Sequence, residues 1–194
     1  MNSIKFKHIK VFQRRRQART DYKLRRKIIL SDDHFLVVRR SNKYIYASIF
    51  KLNELGDKTI FTVSSKEIIN KFKFGNGKNI PVAYLTGLLI AQKAKTHKIE
   101  KSNLYLGIAW NPSASIPFAV AQGCNDGGLQ VNIGEKKMLS IERLTGNHIS
   151  EYNELLQKDN IPTTIFSKYL ANKIDIKSIP NQVEKIKKLI LKEK

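Results

Sequence analysis

The chain has 194 residues, 41% of them hydrophobic, which is enough for one sizeable core. Its 36 Lys or Arg against 16 Asp or Glu give a formal net charge of +20, and so large an excess favours an anionic partner such as RNA, DNA or an anionic membrane surface. No apolar run approaches the ~18 residues that a membrane-spanning helix needs, no signal peptide is recognisable, and the single cysteine, Cys124, excludes an intrachain disulfide. We therefore expect a soluble, cytoplasmic, nucleic-acid-binding protein; the basic, acid-poor start leaves an organellar transit peptide as the alternative.

The positive charge is densest near the N-terminus, where residues 14–27, RRRQARTDYKLRRK, hold eight Lys or Arg and a single acid. Residues 1–19 lack apolar periodicity, so we expect an extended arm that orders on binding. Like charge at this density is unfavourable without a polyanionic partner, and arginine suits RNA phosphates and bases. The expected RNA-binding residues of this segment are Arg14, Arg15, Arg16, Arg19, Thr20, Tyr22, Lys23, Arg26 and Lys27.

A short helix is predicted to follow the arm. Thr20 is a plausible N-cap, and Asp21 lies well in the first turn. Leu24 and Ile28 are four residues apart and share an apolar face. Tyr22 is either a platform for a base or a side chain that packs on the core.

Three β-rich runs come next, at residues 34–40 (HFLVVRR), 43–50 (KYIYASIF) and 59–65 (TIFTVSS). Their short connections predict an antiparallel meander. The first hairpin tip carries a second basic cluster, whose expected RNA-binding residues are Arg39, Arg40, Ser41, Asn42 and Lys43. Because neighbouring strand residues face opposite sides, we expect only one of the two arginines to join a given surface.

The rest of the chain predicts helices alternating with strands. We expect a loop at 75–81, a helix to about residue 95, a strand at 103–110, a helix at 116–126, a short strand at 128–133, and helices at 145–157 and 181–193. Helical crossovers imply parallel pairing. The fold class is therefore α/β, with a mixed sheet of about five strands in the order β-β-β-α-β-α-β. The expected divisions are a basic arm (1–19), an α/β core (20–134) and a C-terminal helical extension (135–194).

Catalytic chemistry is not indicated. Metal-dependent phosphodiester cleavage needs clustered carboxylates, whereas Asp32, Asp33 and Asp126 are isolated. Cys124 is better explained as a buried thiol than as a nucleophile, and the four histidines share no ligand spacing. The loop GNGKN lacks the ending of a phosphate-binding P-loop; we interpret it first as a turn and second as a loop whose Lys78 meets an RNA phosphate. We expect no catalytic residue, metal or cofactor.

Five segments together resemble a known family: residues 14–27, 36–49 (LVVRRSNKYIYASI), 79–94 (NIPVAYLTGLLIAQKA), 126–129 (DGGL) and 146–156 (GNHISEYNELL). They are similar to the large-subunit ribosomal proteins that bind 5S rRNA, numbered eighteen in bacteria and archaea and five in eukaryotes, and the length is similar to the archaeal type. The similarity runs from about residue 10 to 157, and more weakly to the end.

This resemblance implies a three-layer, ribonuclease-H-like fold without its catalytic carboxylates. It also implies a structural ribosomal protein that anchors 5S rRNA in the central protuberance, beside 23S rRNA and a second 5S-binding protein. By position, the family's arginine cluster, its TDY motif and its strand-turn segment match residues of both basic clusters: Arg14, Arg15, Arg16 and Arg19; Thr20, Asp21 and Tyr22; Arg39, Ser41, Asn42 and Lys43.

Two segments depart from the family pattern. Residues 112–117, PSASIP, replace a slightly longer loop with a glycine and a basic residue, and NIG at 132–134 replaces the family's PH, so neither is assigned an RNA contact. Two other functions stay open from the sequence, an assembly factor or chaperone that holds 5S rRNA outside the ribosome and an RNA-processing enzyme.

Overall fold

The computed structural model describes residues 11–31, 33–108, 111–159, 164–172 and 174–192. Five strands form a mixed sheet in the order β3-β2-β1-β4-β5. β1, β2 and β3 pair antiparallel, whereas β4 pairs parallel with both β1 and β5. The predicted meander and the predicted parallel pairing are both confirmed. The strands are β1 (His34–Arg40), β2 (Ile45–Lys51), β3 (Lys58–Ser64), β4 (Lys101–Tyr105) and β5 (Gln130–Val131).

Helices flank the sheet and form the C-terminal part of the chain. Among the described residues they are α1 (Gln13–Arg16), α2 (Tyr22–Ser31), α3 (Ser65–Phe72), α4 (Ile80–Thr96), α5 (Ile116–Asp126), α6 (Ile141–Thr145), α7 (Asn147–Lys158), α8 (Ser167–Ala171) and α9 (Ile179–Lys192). Single 3-10 turns occupy Glu135–Lys137, Thr164–Phe166 and Ile176–Ser178.

The main core lies between one face of the sheet and the helices α4 and α5. The predicted opening of α4 is confirmed, because the Asn79 side chain accepts a hydrogen bond from the Val82 N–H (3.0 Å) and Pro81 lies in the first turn. α4 crosses α5 at Gly87 and Gly123. A Cβ atom added to Gly87 would lie 2.1 Å from the Val120 carbonyl oxygen. The two helices therefore pack backbone against backbone, which glycine alone permits.

The opposite face of the sheet is covered by α2. Ile28 of α2 packs with Phe35 of β1 and Leu52 in a smaller apolar cluster, and Phe50 and Tyr105 border it. The successive residues Phe35 and Leu36 point to opposite faces, since Leu36 belongs to the main core. The result is a three-layer α/β fold with helices on both faces, as predicted.

The C-terminal extension packs on the core through α9. The Tyr84 hydroxyl of α4 donates a hydrogen bond to the Asp126 carboxylate, and the Lys187 Nζ of α9 lies 3.4 Å from the same carboxylate and 5.2 Å from the Tyr84 ring centroid. Burial, followed by the Asp126 contact, raises the pKa of Tyr84 above its ordinary value. The boundaries proposed at residues 19 and 134 remain predictions.

Several sequence predictions of local structure are wrong. Residues 13–16 form a helical turn rather than an extended arm. The strand expected at 103–110 runs from Lys101 to Tyr105, because the chain turns at Gly107, whose φ is +67°. The sequence also missed α3, whose capping box joins the Ser64 and Glu67 side chains to each other's backbone N–H groups. Asp32 and residues 1–10 lie outside the described residues.

Candidate nucleic-acid interface

The described end of the arm folds back towards α2 through a defined turn. The N–H of Arg19 donates to the carbonyl of Arg14 (2.9 Å) and the N–H of Ala18 to that of Arg15 (3.0 Å), and Ala18 has a left-handed φ of +50°. These are the two bonds of a Schellman motif. The Phe12 and Tyr22 rings lie 5.1 Å apart. The arginines of α1 are therefore held against the start of α2.

The N-terminus of α2 is capped by Asp21 and not by Thr20. The Asp21 carboxylate accepts hydrogen bonds from the N–H groups of Lys23 (2.9 Å) and Leu24 (3.1 Å), and α2 begins one residue after it. Thr20 is used differently, because its hydroxyl accepts a hydrogen bond from Arg14 Nε (2.8 Å). The expectation that Thr20 is the cap is wrong.

The exposed side of α2 presents a row of cations. Lys23, Arg26 and Lys27 are exposed, whereas Ile28 is buried beneath the helix. The other expected apolar residue, Leu24, keeps 38% of its surface exposed. α2 thus contributes a narrow apolar contact to the fold and a wide basic surface to solvent.

Arg25, which the sequence did not single out, ties α2 to the loop between β2 and β3. Its guanidinium makes two parallel hydrogen bonds to the Asp57 carboxylate (2.6 and 3.0 Å). This bidentate pairing raises the pKa of Arg25. The partners are 32 residues apart in the chain, so no local pattern indicates the pair.

A groove of about 830 Å³ joins the arm to the sheet. Arg14, Arg19 and Thr20 line it from the arm side, and Arg39 and Arg40 line it from the end of β1. Both arginines of β1 therefore border one groove, whereas we expected only one of them to join a given surface. The groove lies at the end of β1, where it is lined by residues from either face of the strand. Its other lining residues include Arg25, Asp57, Tyr105, Ile108, Asn111 and Pro117.

The hairpin tip and the loop before α4 lie side by side. The Ser41 hydroxyl donates to the Tyr44 carbonyl and accepts from the Tyr44 N–H (both 2.9 Å), which fixes the turn. A Cβ atom on Gly77 would lie 2.7 Å from the Lys43 carbonyl oxygen, so the loop that carries Lys78 passes close to the tip. Asn42, Lys43 and Lys78 are exposed.

These parts form one basic face, defined by the exposed arginines and lysines of α1, α2, the hairpin tip and the neighbouring loop: Arg14, Arg15, Arg16, Arg19, Lys23, Arg26, Lys27, Arg39, Arg40, Lys43 and Lys78. The fold brings together two clusters that are remote in sequence. The segment 111–117 lacks a basic residue, yet Asn111 and Pro117 lie at the groove. Sequence reasoning missed Tyr105 and Asn111. Tyr105 reaches the groove because β4 pairs with β1, and Asn111 also lines it.

A family model for "ribosomal large subunit proteins 60S L5, and 50S L18" matches residues 6–111. The chain is 37% identical to the large ribosomal subunit protein uL18 of Caldivirga maquilingensis over 185 residues, covering 94% of this chain and 89% of that protein. It is 34% identical to the same protein of Methanococcus maripaludis over 181 residues, covering 93% and 94%. The chain belongs to this family of ribosomal proteins.

Membership confirms the resemblance read from the sequence and gives the broad function. The members are structural proteins of the large ribosomal subunit, so the chain is a structural ribosomal protein of the cytoplasm rather than an enzyme. A partnership with rRNA and other ribosomal proteins follows.

Two of the residues considered for catalysis, Cys124 and Asp33, have structural surroundings that account for them. Cys124 is buried in α5, and burial raises the pKa of its thiol, which favours the protonated form. Asp33 accepts a hydrogen bond from the Asn103 side chain (2.8 Å). In the described part of the chain, no three His, Cys, Asp or Glu side chains gather as metal ligands, and no helix there is long and apolar enough to cross a membrane.

Proposed function

We propose that the chain binds 5S rRNA through the basic face and anchors it in the central protuberance of the large subunit, next to 23S rRNA. The observation that carries the proposal is the convergence of Arg14 and Arg19 from the arm with Arg39 and Arg40 from β1 around one groove. Cations that repel one another are brought together at a cost that a polyanion offsets.

The two kinds of surface in the basic face have different tasks. The exposed cations of α1 and α2 neutralise phosphates and position the RNA. The groove is larger than a row of phosphates needs. Its lining includes an aromatic side chain, Tyr105, and an amide side chain, Asn111, which suit an unstacked nucleotide. Arg39 and Arg40 can each make bidentate hydrogen bonds to a phosphate or a base edge at its rim.

The hydroxyl-bearing residues Thr20 and Ser41 act through their neighbours. Thr20 orients the guanidinium of Arg14, and Ser41 holds the turn that presents Asn42 and Lys43. Tyr22 contacts Phe12 and so supports the fold of the arm. We propose that these three residues order the basic face and touch RNA at its margins.

The experiment is an equilibrium titration of 5S rRNA and of an unrelated RNA of equal length across a salt series. We expect both affinities to fall with salt, by about 0.7 to 0.9 in log–log slope for each neutralised phosphate. A preference for 5S rRNA that persists as salt rises supports recognition of RNA shape. If both RNAs bind equally and both affinities fall together as salt rises, the surface binds RNA through charge alone. That result would refute the proposal.

Fractionation of cells separates this function from that of a 5S rRNA chaperone. A ribosomal anchor, beside a second 5S-binding protein, comigrates stoichiometrically with the large subunit. A chain found mainly with free 5S rRNA would instead support work outside the ribosome.

A further inference from the structure

The charge of the molecule is inverted in one region. Residues 138–159, which include α6 and α7, contain four acidic and two basic side chains in a chain of net charge +20. By contrast, the exposed surface of α9 is lysine-rich, with four lysines and one glutamate between Ile179 and Lys192. Among α6, α7 and α9, the surface of α7 is therefore the least suitable for binding RNA.

The same region exposes large apolar side chains. On α7, Tyr152 keeps 45% and Leu155 keeps 55% of its surface exposed, and Ile165 of the following 3-10 turn keeps 68%. The Tyr152 and Phe166 rings lie 6.3 Å apart, which places that turn beside α7. The carboxylates of Glu151 and Glu154 are exposed on the same arc of the helix. We call Glu151, Tyr152, Glu154, Leu155 and Ile165 the acidic face.

A pocket of about 320 Å³ adjoins the acidic face. Its walls include His148 and Ile149 of α7, one turn before Tyr152, and Ile165, Phe166 and Tyr169 beyond it. Its size and its mostly apolar walls suit one large aromatic side chain, a kind of anchor that is enriched among the dominant residues of protein–protein interfaces.

We propose that the acidic face docks a basic protein segment, which places an apolar anchor side chain in the pocket and its lysines or arginines against Glu151 and Glu154. This inference goes beyond the RNA-binding function and rests on membership of the ribosomal family; only the exclusion of a second copy rests on the proposed RNA-binding function. The charge complementarity decides the class of partner, because a basic neighbour meets carboxylates here and arginines on the basic face.

RNA and a second copy are the competing occupants. Phosphates would lie against Glu151 and Glu154, and like charges at an interface cost several kcal/mol. Among the described residues that line the pocket, the one lysine or arginine is Lys78, which belongs to the loop before α4 and not to the acidic face. A second copy offers basic segments too, but its most basic one is the arm, which the RNA-binding function already engages.

The test is zero-length carbodiimide cross-linking of intact large subunits that contain the chain, followed by peptide mass spectrometry. The reagent condenses a carboxylate with a lysine amine in direct contact. We expect Glu151 or Glu154 joined to a lysine of a different ribosomal protein, with added glycine methyl ester labelling them far less in the subunit than in the free protein. Glu184, exposed on α9, is the reference carboxylate.

Three results would overturn the proposal. Equal labelling of Glu151 and Glu154 in the subunit and in the free protein would mean that nothing covers the face. Protection that ribonuclease abolishes would mean that RNA covers it. Cross-links to another copy of this chain would mean self-association.

A pair of variants gives a second measurement. We expect Glu151→Lys with Glu154→Lys to lower the content of the cross-linked partner in purified subunits by about tenfold, with the 5S rRNA content unchanged. Glu54→Lys with Glu184→Lys makes the same charge change at exposed positions elsewhere and should have no effect. Loss of 5S rRNA together with the partner, or an equal loss in the control, would contradict the proposal. Leu155→Ser probes the apolar part without altering the charge.

Discussion

The contact between α4 and α5 and the basic face are stabilised in opposite ways. The helix pair packs backbone on backbone at Gly87 and Gly123, so its stability comes from within the chain. The basic face consists of exposed cations supported by few apolar contacts, among them Phe12 against Tyr22 and Ile28 beneath α2. Its like charges repel one another, a cost that an anionic partner would offset. Substitutions in the first region should therefore change folding, and substitutions in the second should change binding.

The largest effect is expected from Gly87→Ala. The new Cβ would lie 2.1 Å from the Val120 carbonyl oxygen, and backbone cannot move as a side chain can. We expect the free energy of unfolding to fall by about 3 kcal/mol, the upper part of the range for overpacking, as measured by urea denaturation.

Gly134→Ala is the matched control, because a Cβ atom there meets nothing within 4 Å. It should leave the stability unchanged or raise it by a few tenths of a kcal/mol, about the effect of restricting the unfolded chain. Equal losses in the two variants would show that α4 and α5 do not pack as closely as described, and the contrast between the two regions would fail.

The second-largest effect is expected on the binding of RNA and not on the stability of the fold. We expect replacing Arg14, Arg15 and Arg16 together with alanine to weaken 5S rRNA binding by more than tenfold at moderate salt and to reduce the log–log salt slope by about 2. The unfolding midpoint in urea should change little, because all three side chains are exposed and the hydrogen bond from Arg14 to Thr20 lies at the surface.

Alanine at Lys185, Lys188 and Lys192 of α9 removes the same charge from a different surface and provides the control. If it lowers the affinity and the slope equally, the RNA responds to net charge and not to the basic face. An unchanged slope in the arginine variant would refute the placement of phosphates on the arm.

In both regions, the features that depend on local sequence patterns can be predicted from the sequence. The order of strands and helices follows from local patterns: β-branched runs give β1 to β3, and Asn79 with Pro81 opens α4. The clustering of Arg14 to Lys27 is visible in the sequence as well. These features depend on neighbours a few residues apart.

Features that depend on distant neighbours were not predictable. Arg25 meets Asp57 across 32 residues, and Arg40 borders the groove because β1 ends there. The choice of Asp21 over Thr20 as the cap was a local matter, yet both residue types cap well; Arg14 decides it by engaging the Thr20 hydroxyl. Tertiary partners thus determine which candidate side chain performs which task.

A smaller effect is expected from the Arg25–Asp57 pair, which joins the basic face to the fold. The two side chains keep 29% and 38% of their surface exposed, so we expect Asp57→Asn to lower the free energy of unfolding by no more than about 1 kcal/mol. Arg25→Met should lower the free energy of unfolding by a similar amount. The double variant should lower it by less than the sum of the two single variants. Strict additivity in this cycle would show that the pair contributes nothing to holding α2.

The smallest effect is a pH dependence at His148, which belongs to neither region. Burial and the charge of Arg143 lower its pKa below the ordinary value of 6.5, against the opposing effect of Glu151. The unfolded chain therefore takes up the proton first as pH falls, and the folded state loses stability from about pH 7 down to the lowered pKa. Below that pKa both the folded and the unfolded states are protonated, and the loss of stability stops growing.

His148→Gln should remove this part of the pH profile measured by urea denaturation while leaving stability at pH 8 nearly unchanged. A profile with the opposite sign would mean that the protonated imidazole is the stabilised form, so that Glu151 outweighs burial and Arg143, and the surroundings of His148 would have been assigned wrongly.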